Sequence, residues 1–363
     1  MARRFILRCI PGAVAAAVFL IMLCAGVLVL ARPLVEQTQP WIFRGLAAEL
    51  VGVQVAREPV ALAASSVMSG RFQKEVDAWV GDNVPQRALV VRSFNEALWD
   101  MFGSSYMSQG SIVRGRKGTL FEVSYILLYC GIVKSDMRDV TVFATRLRKV
   151  QDWFAARGQR FVYFLSPPKP YWFPDRIPAS FPCAEDVRDK DYAPTVQIME
   201  SAGINFVDAR AALEKARGSA ATALFPINGI HWNWLGAAAG ANALADKVRS
   251  LGVPDLPVLS YSVAIEPDES EAPIDRDLSS LLNLLSLPRG APAPKLQVLA
   301  VPEGSSRCRV AAVNTSYLSQ PAYLLQTAQN IPKLGIELLF LSGQKIPARL
   351  GRPRDQSRRS GGI

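Results

Sequence analysis

From Cys9 to Ala31 the chain is uncharged and almost wholly apolar. About 20 apolar residues suffice to cross the hydrocarbon layer. The run is longer than the ~7–15-residue apolar stretch of a cleaved signal peptide, and it lacks a clean small-x-small site before Arg32. It predicts one spanning helix, with a cleaved signal as the other reading. Downstream the spacing becomes helical. Phe72, Val76 and Trp79, then Leu89, Val90, Phe94, Leu98 and Trp99, recur on one face, and Pro85 splits them into two helices. SIVRGRKGTLFEV reads as strand, turn, strand. Asp136 to Arg157 is an amphipathic helix stopped by Gly158. RFVYFL (Arg160 to Leu165) is a buried strand, and SPPKP after it is a loop. Asp191 to Ala202 is a helix, Ile204–Val207 a strand ending in Asp208, and Leu235 to Leu251 an Ala-rich helix. Residues 264–296 read as a surface excursion around a short helix, DLSSLLNLL. Strands are expected at Arg309 to Val313 and Gly335 to Leu341, with a helix at Gln320 to Gln329 between them. This alternation predicts an α/β fold, a parallel sheet with helices on both faces. Its sites would lie on loops after the carboxyl ends of strands.

Charge refines the organisation. The net charge is +10, but it is concentrated at the ends. Arg3, Arg4 and Arg8 precede the apolar run without an acid, and the last 19 residues hold six basic side chains against Asp355. The body between is close to neutral, so the basic pI is not the footprint of nucleic-acid binding. Arginines before the span place the N-terminus in the cytoplasm. The expected organisation is a cytoplasmic tip and anchor (1–34), a stalk (35–69), one main domain (70–344) and a basic disordered tail (345–363). The body is then extracytoplasmic, and periplasmic behind a Gram-negative inner membrane.

An oxidising compartment favours a disulfide. Of the exported cysteines, Cys130, Cys183 and Cys308, the expected pair is Cys130–Cys183. No CxxC occurs and the chain has one histidine, which argues against redox catalysis and rules out a multi-His metal site.

That histidine, His231, lies in FPINGIHWNWLG just before a helix, and Ser316 lies in RVAAVNTSYLSQP between a strand and a helix. A serine on a strand–turn–helix corner projects its hydroxyl, and nearby backbone N–H groups can hold an oxyanion. Serine needs an adjacent base. Ser316–His231 is therefore the only ordinary serine dyad this chain can build. The structural alternatives are a hydrogen-bonded histidine and a serine that caps a helix.

Six segments in order resemble the exported SGNH-hydrolase-like acetyltransferases of the alginate O-acetylation type. They are DNVPQR with Asn95, VRGRKGTLF, SPPKPYWFPDRIP, HWNWLG, DLSSLLNL and VNTSYLS, spread over about residues 70–330. The resemblance implies an SGNH-like fold with a permuted motif order, the histidine block before the serine block. It implies Ser316 as the nucleophile that carries acetyl to a polysaccharide hydroxyl, and His231 as general base. It also implies a membrane-bound O-acyltransferase partner that delivers acetyl, with no soluble cofactor and no metal. Lys169, Tyr171, Trp232, Asn314 and Tyr317 are the residues expected on the substrate side.

The sequence departs from the family pattern where an aspartate is usual two residues before the histidine: Gly229 stands there. Three readings follow. Asn228 or a backbone carbonyl holds the imidazole, Asp208 approaches from elsewhere, or the chain is a weak relative that binds glycan. A carbohydrate acetylesterase and a non-catalytic glycan-binding scaffold are the alternative functions.

Overall fold

The computed structural model describes residues 49–53, 64–83, 87–105, 110–253, 259–267, 273–299, 311–314, 316–328 and 337–340. The apolar run, most of the stalk, Cys308 and the basic tail lie outside them. Among the described residues no helix is long and apolar enough to cross a membrane.

In chain order the helices are α1 (Ala64–Met68), α2 (Arg71–Asn83), α3 (Arg87–Phe102), α4 (Val123–Tyr129), α5 (Met137–Ala155), α6 (Lys169–Trp172), α7 (Tyr192–Ser201), α8 (Ala209–Arg217), α9 (Trp234–Ser250), α10 (Asp277–Leu281) and α11 (Ser316–Ala328). The strands are β1 (Ile112–Arg114), β2 (Leu120–Glu122), β3 (Tyr163–Leu165), β4 (Phe206–Asp208), β5 (Tyr261–Glu266), β6 (Ala293–Val298), β7 (Ala311–Asn314) and β8 (Glu337–Phe340).

Among the described residues the strands form four pairs instead of one continuous sheet. β3 and β4 run parallel, with Phe164 opposite Val207. β7 and β8 also run parallel, with α11 as their crossover. β1–β2 and β5–β6 are antiparallel. Strands β5 and β6 straddle the two ends of the stretch 264–296, expected to be a surface excursion around a short helix. Pro294 and the surrounding prolines and acids mask them, yet Leu296 and Val298 turn to the core while Lys295 and Gln297 face solvent. That alternation has the period of a strand. The expected loop at SPPKP closes into the single turn α6, with Pro170 in its first turn.

The main core is built on α9. Its buried face is Gly236, Ala237, Ala238, Gly240, Ala241 and Ala245. Small residues let the helix approach closely: a Cβ on Gly240 would sit 3.2 Å from the Trp232 indole and 3.3 Å from the Phe164 ring. Trp232 is fully buried there, edge-on to Phe164 and to Tyr317 of α11. A second core joins Trp99 of α3 and Leu120 of β2 to Leu278, Leu282 and Leu284, with Ile230 packed against it. It fastens the α10 segment to the domain. Cys130 and Cys183 form a disulfide that ties the end of α4 to the chain after α6.

Candidate active site

His231 sits two residues before the N-cap of α9. The cap is Asn233, whose Oδ1 accepts from the Leu235 and Gly236 N–H groups at 3.1 and 3.2 Å while its Nδ2 donates to the Ala223 carbonyl at 2.6 Å. Both ends of this side chain are used, so the point where loop becomes helix is fixed. The loop before His231 is held equally firmly. Four consecutive carbonyls each accept a hydrogen bond from elsewhere in the fold. Ile227 accepts from the Leu120 N–H at 2.8 Å and from Lys169 Nζ at 2.9 Å. Asn228 accepts from the Ser279 N–H at 3.1 Å, and Gly229 from Lys169 Nζ at 2.6 Å. Ile230 accepts from the Tyr317 hydroxyl at 2.8 Å.

The imidazole held by this loop has partners on both nitrogens. Nε2 lies 2.6 Å from Ser316 Oγ. Nδ1 is hydrogen-bonded to Asp277 Oδ2, and Asp277 Oδ1 accepts the Ile230 N–H at 2.7 Å. The carboxylate thus grips both the ring and the backbone beside it. With Nδ1–H donating to Asp277, Nε2 is left to accept the serine hydroxyl, which is the tautomer that proton abstraction requires. Ser316 is the first residue of α11, two positions after the last residue of β7, and is exposed. Tyr317 places its ring 4.7 Å from the imidazole, edge-on. Burial pushes its phenol well above the ordinary tyrosine range, so it stays a neutral donor.

The expected partners of the imidazole are elsewhere. Asn228 is buried and its Nδ2 donates to the Pro288 and Arg289 carbonyls, at 3.2 and 3.0 Å. Asp208 accepts from the Tyr192 hydroxyl and caps α8 through the Ala211 N–H. Neither faces His231. Asp277 does, and it removes the ground for expecting a weakened site at Gly229. The signal that could have found it was an aspartate heading the one apolar-anchored helix, DLSSLLNLL, within a polar excursion.

Four of the five residues expected on the substrate side are instead occupied inside the fold. Lys169 is 1% exposed and spends two donors on the histidine loop. Tyr171 donates to Glu214 at 2.6 Å and lies beneath the Arg210 guanidinium. Trp232 is core, and Tyr317 is buried against His231. Asn314 contributes backbone to β7 opposite Phe340. Among the described residues no group of three His, Cys, Asp or Glu side chains could hold a metal ion.

A family model described as SGNH hydrolase-like domain, acetyltransferase AlgX, matches residues 112–305, just over half of the chain. The chain belongs to this family. The match includes His231 and Asp277 and ends before Ser316. Among curated proteins none matches. Two solved structures are similar. The O-acetyltransferase domain of Pseudomonas putida AlgJ shares 22% identity at a TM-score of 0.42, over 60% of this chain and 76% of that one. Pseudomonas aeruginosa AlgX shares 16% identity at a TM-score of 0.39, over 59% of this chain and 51% of that one.

Proposed function

We propose that the chain is an O-acetyltransferase that modifies hydroxyls of an exported polysaccharide through an acetyl-Ser316 intermediate. The observation that carries this reading is the 2.6 Å approach of His231 Nε2 to Ser316 Oγ, with Asp277 on the other ring nitrogen. Ser316 Oγ attacks the acetyl carbonyl of the donor while His231 Nε2 takes its proton. Asp277 stabilises the imidazolium without accepting that proton. The imidazolium returns the proton to the leaving group. A glycan hydroxyl then attacks the acyl-enzyme, His231 takes the hydroxyl proton, and Ser316 leaves with it. The Ser316 N–H, in the first turn of α11 where N–H groups lack intrahelical partners, is a donor for the oxyanion.

Ser316 is exposed, so a polymer can reach it. A cavity of about 540 Å³ opens beside Ile227 and Pro288–Gly290, with Arg114, Lys117 and Arg289 on its wall together with Glu96 and Asp100. In this reading the acetyl donor is a membrane-bound O-acyltransferase, and the apolar N-terminal run keeps the domain beside it on the periplasmic face. The chain itself needs no soluble cofactor or metal.

Intact-mass spectrometry after exposure to an activated acetyl ester tests the chemistry. The wild type should gain one acetyl group or turn the ester over, while Ser316→Ala and His231→Ala do neither. If all three behave alike, the acyl-enzyme reading fails. The esterase alternative uses the same residues. It is separated by supplying an oligosaccharide acceptor and asking whether acetyl appears on sugar or only as acetate.

A further inference from the structure

Asp277 heads α10, which has only five residues. One helical turn has almost no stability of its own. Its placement is therefore set by what holds it: the Ser279–Asn228 bond, the packing of Leu278 and Leu282 with Leu120 and Ile112, and a set of hydrogen bonds that comes largely from α3. Asn95 is fully buried in α3, and its Nδ2 donates to the Leu282 and Asn283 carbonyls at 3.1 and 3.2 Å. Ser105, just past α3, donates to the same Leu282 carbonyl at 2.8 Å. Glu96 accepts from the Leu285 N–H at 2.9 Å and the Ser286 hydroxyl at 2.7 Å. Asn283 is non-glycine at φ +50°, and its side chain pairs with both backbone groups of Val51. The carboxyl end of α10 is thus caught by one face of α3, while its amino end presents Asp277 to His231.

We infer that Asn95 and Glu96 are positioning residues: α3 latches the arm, residues 277–287, that brings Asp277 against His231. Asn95 and Glu96 precede the segment that the family model matches. They touch no reacting atom and act only through Asp277. The inference rests on the triad proposed above, but it can be read out separately from acyl transfer.

The single histidine makes the test specific, because histidine-selective ¹⁵N labelling of the full chain in detergent reports His231 alone. The wild type should show one low-field Nδ1–H proton, and Asp277→Asn should abolish it. Asn95→Ala and Glu96→Ala should weaken it or move it upfield, and should slow acetylation of Ser316 by an activated ester at least tenfold. Glu96→Gln keeps an acceptor and should stay near wild type. In the Asp277→Asn background neither alanine change should slow the reaction further, which a merely structural role would not produce. Thermal melts check that each variant is folded. If Asn95→Ala does not fold, the partly exposed Glu96→Ala decides. A wild-type Nδ1–H signal in folded Glu96→Ala overturns the latch, as does the absence of that signal from the wild type. A wild type that shows the signal yet takes no acetyl defeats the acyl-enzyme reading alone and leaves the latch standing.

Discussion

Gly229 lies against the backbone that carries Asp277: a Cβ at position 229 would stand 2.9 Å from the carbonyl oxygens of both Ile274 and Asp275. Two segments cannot share that space. The residue that usually bears the orienting acid is reduced to hydrogen here, and the acid arrives on the neighbouring segment instead.

Restoring the family residue should therefore harm the site. Gly229→Asp pushes two backbone carbonyls away and leaves two carboxylates competing for one imidazole. The strain should be about 1–3 kcal/mol. Ester turnover should fall, not rise. A melting curve beside a rate measurement checks both, and a Gly229→Asp variant faster than wild type would remove Asp277 from the role given to it.

Asp277→Asn keeps the shape of the side chain and removes the charge that stabilises the imidazolium. It also permits the wrong tautomer, with Nε2 protonated and unable to accept from Ser316. The rate should fall on the order of 10³–10⁴-fold with little change in melting temperature. The matching changes at Asn228 and Asp208 should not reproduce that ratio, because neither side chain faces the ring.

What the sequence discloses and what it conceals divide along physical lines. One histidine leaves one ordinary base, and a serine between a strand and a helix is visible from periodicity, so the His231–Ser316 pairing could be reached by elimination. The two helices around Pro85 and the strand–turn–strand at 112–122 follow from local spacing alone. Asp277 is 46 residues from His231, and its approach depends on an arm latched to a helix some 180 residues earlier. No local pattern encodes that. Lys169 shows the converse. A lysine after Pro-Pro suggests an exposed cation, and only the folded chain reveals that four loop carbonyls need donors and that this ammonium serves two of them.

Lys169 is accordingly a test of loop rigidity rather than of substrate affinity. Lys169→Met keeps the apolar stem and leaves the Gly229 carbonyl without its donor; unsatisfied buried groups cost about 1–3 kcal/mol each. The expected outcome is a lower kcat and a lower melting temperature with KM for an oligosaccharide acceptor unchanged. A raised KM with unchanged stability would return Lys169 to the substrate side.

Reduction should weaken the domain. The Cys130–Cys183 bridge closes a loop with a sequence separation of 53. Chain entropy alone assigns such a loop about 4 kcal/mol. The double variant Cys130→Ala/Cys183→Ala should melt on the order of 10 °C lower. Reductant should lower the wild type by a similar amount and leave the variant unmoved.

The phenol of Tyr317 gives an alkaline signature. Burial raises its folded-state pKa well above 10.0, so the folded form keeps a proton that the unfolded chain begins to release near pH 10. The stability it confers is whole below about pH 10 and is lost as pH rises toward the folded value. Tyr317→Phe removes that titration and also the hydroxyl bond to the Ile230 carbonyl. At pH 7 the variant should be less stable by about 1 kcal/mol. Between pH 10 and 12 its stability should fall more gently than that of the wild type, by up to about 1.4 kcal/mol per pH unit for the one proton removed. Tyr163 and Tyr192 are raised by burial as well, so some alkaline decline persists in the variant. Urea melts at a series of alkaline pH values measure the difference in slope. Equal slopes would mean that Tyr317 is not held neutral against His231.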